Sequence, residues 1–216
     1  MNEPKESKIQ LTYVVFGIIV GIIGILHGAA ELLQGNTLVE GGKITAMPEN
    51  WPNKEFYTLM KGAPVFSLLS GIPYFVLGLL AISVSITLIV FSTKFFKLNT
   101  KGIVLFALFS IGIFLFGAGE GTPIAICLPL MITGILSLFT EQKERSELNK
   151  RVNLIGFSVF YWLQIFSWVL FFPGLFVMSF YQEIPHWLFL FDFMIMPISI
   201  IGSMIFGFRY DRTIES

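Results

Sequence analysis

Charge is what this sequence has least of. Only 13% of its 216 residues are Asp, Glu, Lys or Arg, roughly half the ~25% of an ordinary soluble domain. The formal net charge is zero, so there is no global basic field to attract nucleic acid. A single cysteine, Cys127, excludes an internal disulfide. His27 and His186 are the only histidines, and H-E-x-x-H is absent, so no metal signature appears. Walker, dinucleotide and zinc-finger patterns are missing, as is any N-x-[ST] sequon. No serine has an identifiable base partner, so a protease triad is not legible. These absences leave any cofactor unknown and the question of enzyme or non-enzyme open.

What is present is oil. Hydrophobic residues make up 55% of the chain, 24 of them Phe. Between Lys61 and Lys94 run 32 residues without one charged side chain. A helix needs about 20 apolar residues to cross a hydrocarbon core of roughly 30 Å, and the bilayer is the expected solvent. The expected fold is all-α, a polytopic six-helix membrane bundle in one domain, with spans near 11–33, 64–91, 102–116, 123–139, 152–181 and 187–208. The second run is too long to stand upright at about 1.5 Å per residue, and Pro73 offers it a bend. The run 102–140 carries one charge, Glu120, and is broken by Gly117-Ala-Gly-Glu-Gly-Thr-Pro123. Glycine and proline at that density predict a tight hairpin between helices three and four.

The basic residues test this count. With six spans, Lys5, Lys8, Lys94, Lys97, Lys101, Lys143, Arg145, Lys150, Arg151, Arg209 and Arg212 fall on one side, and only Lys43, Lys54 and Lys61 on the other. Fusing 102–140 into one span reverses the balance. The positive-inside rule therefore favours six spans with both termini cytoplasmic, as in the plasma membrane of a prokaryote. Lys5, Lys8, the apolar run and Gly28-Ala-Ala30 also have the order of a cleavable signal sequence, but a run of about 16 apolar residues exceeds the usual h-region.

In this topology the polar chemistry lies in the outer half. His27 and Glu31 end helix one, Glu120 sits in the outer hairpin, and Asp192 lies about one and a half turns into helix six. Glu183 and His186 mark the turn before it. A carboxylate such as Asp192, set between Trp187-Leu-Phe-Leu-Phe191 and Phe193-Met-Ile-Met196, has to be paired, hydrated or protonated. Gly17, Gly21, Gly24 and Gly28 recur at spacings of four, three and four, a small-residue seam that lets another helix approach closely. Continuing the spacing lands on Glu31, and His27 flanks the same face. The bland readings are a glycine seam that only packs, a Glu31 in the headgroup zone, and a Glu120 that caps a helix N-terminus. The many aromatics of helix five read as lipid contact and packing. The loop 34–61 is long enough to form a lid over an outer pocket.

The segment Gly24-Ile-Leu-His27-Gly-Ala-Ala-Glu31 resembles, over eight residues, the intramembrane His-x-x-x-Glu of sterol isomerases related to emopamil-binding protein. The resemblance implies a His and an acid that move a proton beside a sterol. It stops there: that family has a further acid in the next helix, whereas helix two here has none, and six spans exceed its core.

Three functions stand as expectations. The first is a protein that binds a small solute or lipid, and carries it, through an outward-facing polar pocket. Glu31, Glu120 and Asp192 would supply charge there, and His27 would tune them. The second is an intramembrane enzyme with His27 and Glu31 as its acid–base pair. The third is a non-catalytic subunit whose glycine seam docks another membrane protein. The lipid bilayer is a partner in all three, and nucleic acid in none.

Overall fold

The computed structural model of the chain describes residues 7–39, 42–44, 65–67, 69–116, 122–140, 143–144, 147–170, 174 and 186–214. Among these it has six α-helices: α1 (Lys8–Leu32), α2 (Tyr74–Val90), α3 (Thr100–Leu115), α4 (Thr122–Phe139), α5 (Glu147–Val169) and α6 (His186–Asp211). A π-helical turn, Phe91–Phe95, extends α2. Strand β1 (Gly42–Ile44) pairs antiparallel with β2 (Val65–Ser67), and β3 (Lys143–Glu144) pairs parallel with β4 (Thr213–Ile214). Neither ladder exceeds three residues, so the fold is helical.

Among the described residues, three stretches are long and apolar enough to cross a membrane: Lys8–Ala29, Tyr74–Phe95 and Glu147–Val169, of 22, 22 and 23 residues. Each spans about 33 Å or more at 1.5 Å per residue. Their surface pattern is compatible with a membrane location. Ile22, Leu26, Leu79, Ile86, Val159 and Phe166 face outward, while Ser85, Ser110, Gln164, Ser199 and Ser203 are buried. Apolar groups outside and hydrogen-bonded polar groups inside is the arrangement a lipid solvent favours.

The second apolar run departs from expectation. It is not a helix from Pro64 to Phe91: β2 occupies its front, and the helix begins at Tyr74. Pro73 is not a kink inside the helix but its N-cap, in extended geometry. A proline cannot serve an interior N–H position, yet costs nothing where the chain enters a helix. The exposed N–H groups of the first turn are met by the turn that leaves α1. Tyr74 N–H donates to the Thr37 carbonyl at 3.0 Å, and Phe75 N–H to that of Gly35 at 2.8 Å. Gly35 reaches this position at φ +65, a left-handed conformation that suits glycine. The turn leaving α1 thus caps α2. Helix α5 also differs. It starts at Glu147 rather than near 152, and Glu147 pairs with Arg151 one turn on at 3.4 Å. The acid sits at the positive end of the helix dipole. The hairpin residues 117–121 lie outside the described residues.

The described residues fall into two compact units. One holds α1 from Tyr13 onward, α2, α3 and α4 as far as Gly134. At one end of it, Tyr13 stacks on Phe96 with centroids 4.5 Å apart and meets Phe106 edge-on. The start of α1, the end of α2 and the start of α3 are thereby gathered together. Asn99 caps α3 by accepting from Gly102 N–H at 2.8 Å. The other unit holds the first turn of α1, the end of α4, α5 and α6. There Asp211, at the last turn of α6, caps α1. Its carboxylate accepts from Ser7 Oγ at 2.6 Å, Lys8 N–H at 2.8 Å and Ile9 N–H at 3.0 Å.

Candidate functional site: a buried acid at the end of a glycine seam

The α1 glycines are all buried, and α2 of the same chain lies on them. A methyl added at Gly17 would strike the Ser92 side chain. One at Gly21 would meet the Ser85 carbonyl oxygen at 2.9 Å, and one at Gly28 the Gly78 carbonyl oxygen at 2.8 Å. Gly24 faces Ser85, with Ile113 of α3 also against it. Each glycine lets a backbone or a serine come closer than any side chain would permit. The seam expected to be open for another membrane protein is therefore filled from within.

Glu31 lies three residues beyond Gly28 on the same face. It is 5% exposed, and neither carboxylate oxygen has a hydrogen-bond partner among the described residues. Its position is fixed from two sides. The last turn of α1 presses on α2, where a methyl at Gly78 would sit 2.9 Å from Leu32 N. Beyond Leu32, the turn to Gly35 is bound to the start of α2. A buried polar group left unpaired costs about 1–3 kcal/mol, and more if it is charged. Chemically the site offers acceptor oxygens to a proton, a cation or an N–H donor.

The other expected site residues fare differently. His27 is half-buried, and no hydrogen bond joins it to Glu31. The acid–base pair that the His-x-x-x-Glu spacing suggested is therefore not formed. Asp192 is seven residues into α6, in the other unit from Glu31; only its backbone placement is described. Glu120, Glu183 and residues 45–61 of the loop 34–61 lie outside the described residues.

Sequence reasoning missed a second polar cluster. On α5, Gln164 is fully buried, and its Oε1 accepts from Ser203 Oγ of α6 at 2.9 Å. Its Nε2 has no partner among the described residues, nor has Trp168 Nε1 one turn further along. Asn153, Phe157, Gln164, Ser167 and Trp168 form one buried stripe on α5. The spacing was visible, but the aromatics that surround it drew attention to lipid contact. Both parts of that reading appear: Trp162 and Phe166 face outward, while Phe157 and Trp168 are buried in packing.

The class this geometry defines is a helical protein with membrane-length apolar helices. No family model, curated protein or solved structure matches the chain, so the functional reading rests on the site alone.

Proposed function

We propose that this is a six-span membrane protein, with both termini cytoplasmic, that binds and carries a small solute through a pocket opening outward at Glu31. The solute presents positive charge or N–H donors, as an organic amine does. The observation that carries this reading is the Glu31 carboxyl, buried at the end of the glycine seam with both oxygens unmet among the described residues. A carboxyl kept buried at that cost just beyond the membrane-length stretch of α1 is a functional-site hypothesis. Topology has its own support. In one unit the α1 N-terminus meets the end of α6, and β3 between α4 and α5 pairs with β4 after α6. In the other, Tyr13 and Phe96 bring the start of α1 to the end of α2. These are the ends that carry the basic flanks.

The two alternatives find less support. An acid–base enzyme wants His27 bonded to Glu31, and a docking subunit wants an open seam. The test is thermal unfolding of the protein in nanodiscs with a panel of amines, from tetramethylammonium to ethanolamine and spermidine. At least one raises the unfolding temperature of the wild type, and Glu31→Gln abolishes that rise. A panel without effect on the wild type, or an equal rise in Glu31→Gln, refutes the reading.

A further inference from the structure

The α5–α6 pair belongs to the other unit from Glu31, and it poses a separate problem of unmet hydrogen bonds. The two helices pack closely because glycines receive rings. A methyl at Gly156 would collide with the Phe206 ring at 2.5 Å, and Phe160 lies over Gly202 in the reciprocal sense. Phe160 and Phe206 stack with centroids 5.6 Å apart. Beyond this aromatic clasp the interface turns polar. Gln164 and Ser203 are each 0% exposed and bonded to one another, and the Ser203 hydroxyl also lies 2.8 Å from the Ile200 carbonyl.

With the one Ser203 hydroxyl hydrogen given to Gln164 Oε1, the Gln164 amide N–H₂ is left unmet among the described residues. Trp168, 5% exposed, leaves its indole N–H unmet four residues on. Residues at i and i+4 share a helix face, about 6 Å apart along the axis. Two orphaned groups on one face are both donors, and what they lack is an acceptor. In a bilayer no bulk water makes good the loss, and each unmet group costs several kcal/mol.

We propose that α5 and α6 hold a second ligand site, in which the Gln164 amide and the Trp168 indole donate to the carbonyl oxygen of a neutral, lipid-soluble molecule. A carbonyl brings two lone pairs and no hydrogen of its own, so it meets donors without needing an acceptor in return. The ligand is neutral because the nearest cation on the buried stripe, Lys150, is fourteen residues away, about 21 Å along the helix. It is lipid-soluble because both donors are buried on the membrane-length stretch Glu147–Val169, where there is no bulk water. An ester carbonyl of a glycerolipid and the carbonyl of a free ketone or quinone share this chemistry.

The experiment separates these sources. The protein is placed in nanodiscs of ether-linked phosphatidylcholine, which has no ester carbonyl. Dioleoylglycerol and a decyl-substituted benzoquinone are titrated separately. The readout is the ¹⁵N–H resonance of the Trp168 indole, identified among the four tryptophans by its loss in Trp168→Phe. One probe moves this signal downfield and saturates, and that probe identifies the source. Gln164→Leu weakens the same titration about threefold to tenfold, as expected for one net hydrogen bond. Should that variant not fold, Gln164→Met takes its place. The proposal is overturned if neither probe moves the wild-type signal, the result expected where a bound water already fills the site. It is also overturned if the Gln164 variant titrates like the wild type.

Discussion

The two glycine-lined interfaces of this protein solve one problem in two ways. Along α1 the glycines meet backbone and serine as well as isoleucine side chains: Gly28 against the Gly78 carbonyl and Ile82, Gly21 against the Ser85 carbonyl and Ile89. Along α5 and α6 they meet phenyl rings: Gly156 under Phe206, Gly202 under Phe160, Gly207 against Phe157. The first is a close approach of two main chains, rigid because a carbonyl cannot step aside. The second is knob-into-hole packing, more forgiving because a ring can turn. Close packing without large side chains is what lipid-solvated helices use in place of a hydrophobic drive. The rigid seam ends in an unmet acid and the softer one in unmet donors, so the two regions are suited to opposite ligands.

The largest expected effect breaks the seam. Gly28→Val puts a branched side chain where even Cβ meets the Gly78 carbonyl oxygen at 2.8 Å. It should destabilise by about 3 kcal/mol, the upper end for overpacking, read as the unfolding free energy in detergent. A loss below about 1 kcal/mol would mean that α1 and α2 part easily. Next is Glu31→Met, which removes a buried carboxyl with no partner among the described residues. It should stabilise the solute-free protein by about 2 kcal/mol while removing amine binding. A destabilised variant would show that the carboxyl has a structural partner.

Smaller still is Asp211→Ala. It strips the α1 N-terminus of the acceptor for Ser7 Oγ and two backbone N–H groups. A loss of about 1–2 kcal/mol is expected, with early hydrogen exchange at Lys8 and Ile9. Unchanged exchange there would remove the cap from the account. The smallest is Gly207→Ala, whose methyl would lie 3.1 Å from the Phe157 ring. A shift under about 1 kcal/mol is expected. If it matches Gly28→Val, the contrast between the stiff and the soft interface fails.

Much of the architecture could be read before any coordinates. The first helix and the break near 99 come from runs of apolar residues and from where lysine and asparagine interrupt them. The second run could not be divided correctly. Residues 68–75 are as free of charge as the helix after them. Only the pairing of Gly35, Thr37, Leu38 and Val39 with Ile72, Pro73, Tyr74 and Phe75 sets the approach to α2 in extended geometry. Glu31 could be singled out as an acid at the end of a seam, but whether His27 reached it depended on side-chain placement. Gln164 and Trp168 were legible as letters and not as a pair, because burial was needed to tell them from the lipid-facing aromatics beside them.

Local composition was enough to mark apolar, helix-forming stretches and their basic flanks, because both depend on transfer from water to hydrocarbon. It took packing between distant segments to spend the α1 glycines on α2, to leave Glu31 without a hydrogen-bond partner among the described residues, and to turn two α5 donors inward and unmet there. Whether a polar atom is satisfied depends on what a distant part of the chain brings within about 3 Å of it, and no local pattern encodes that distance.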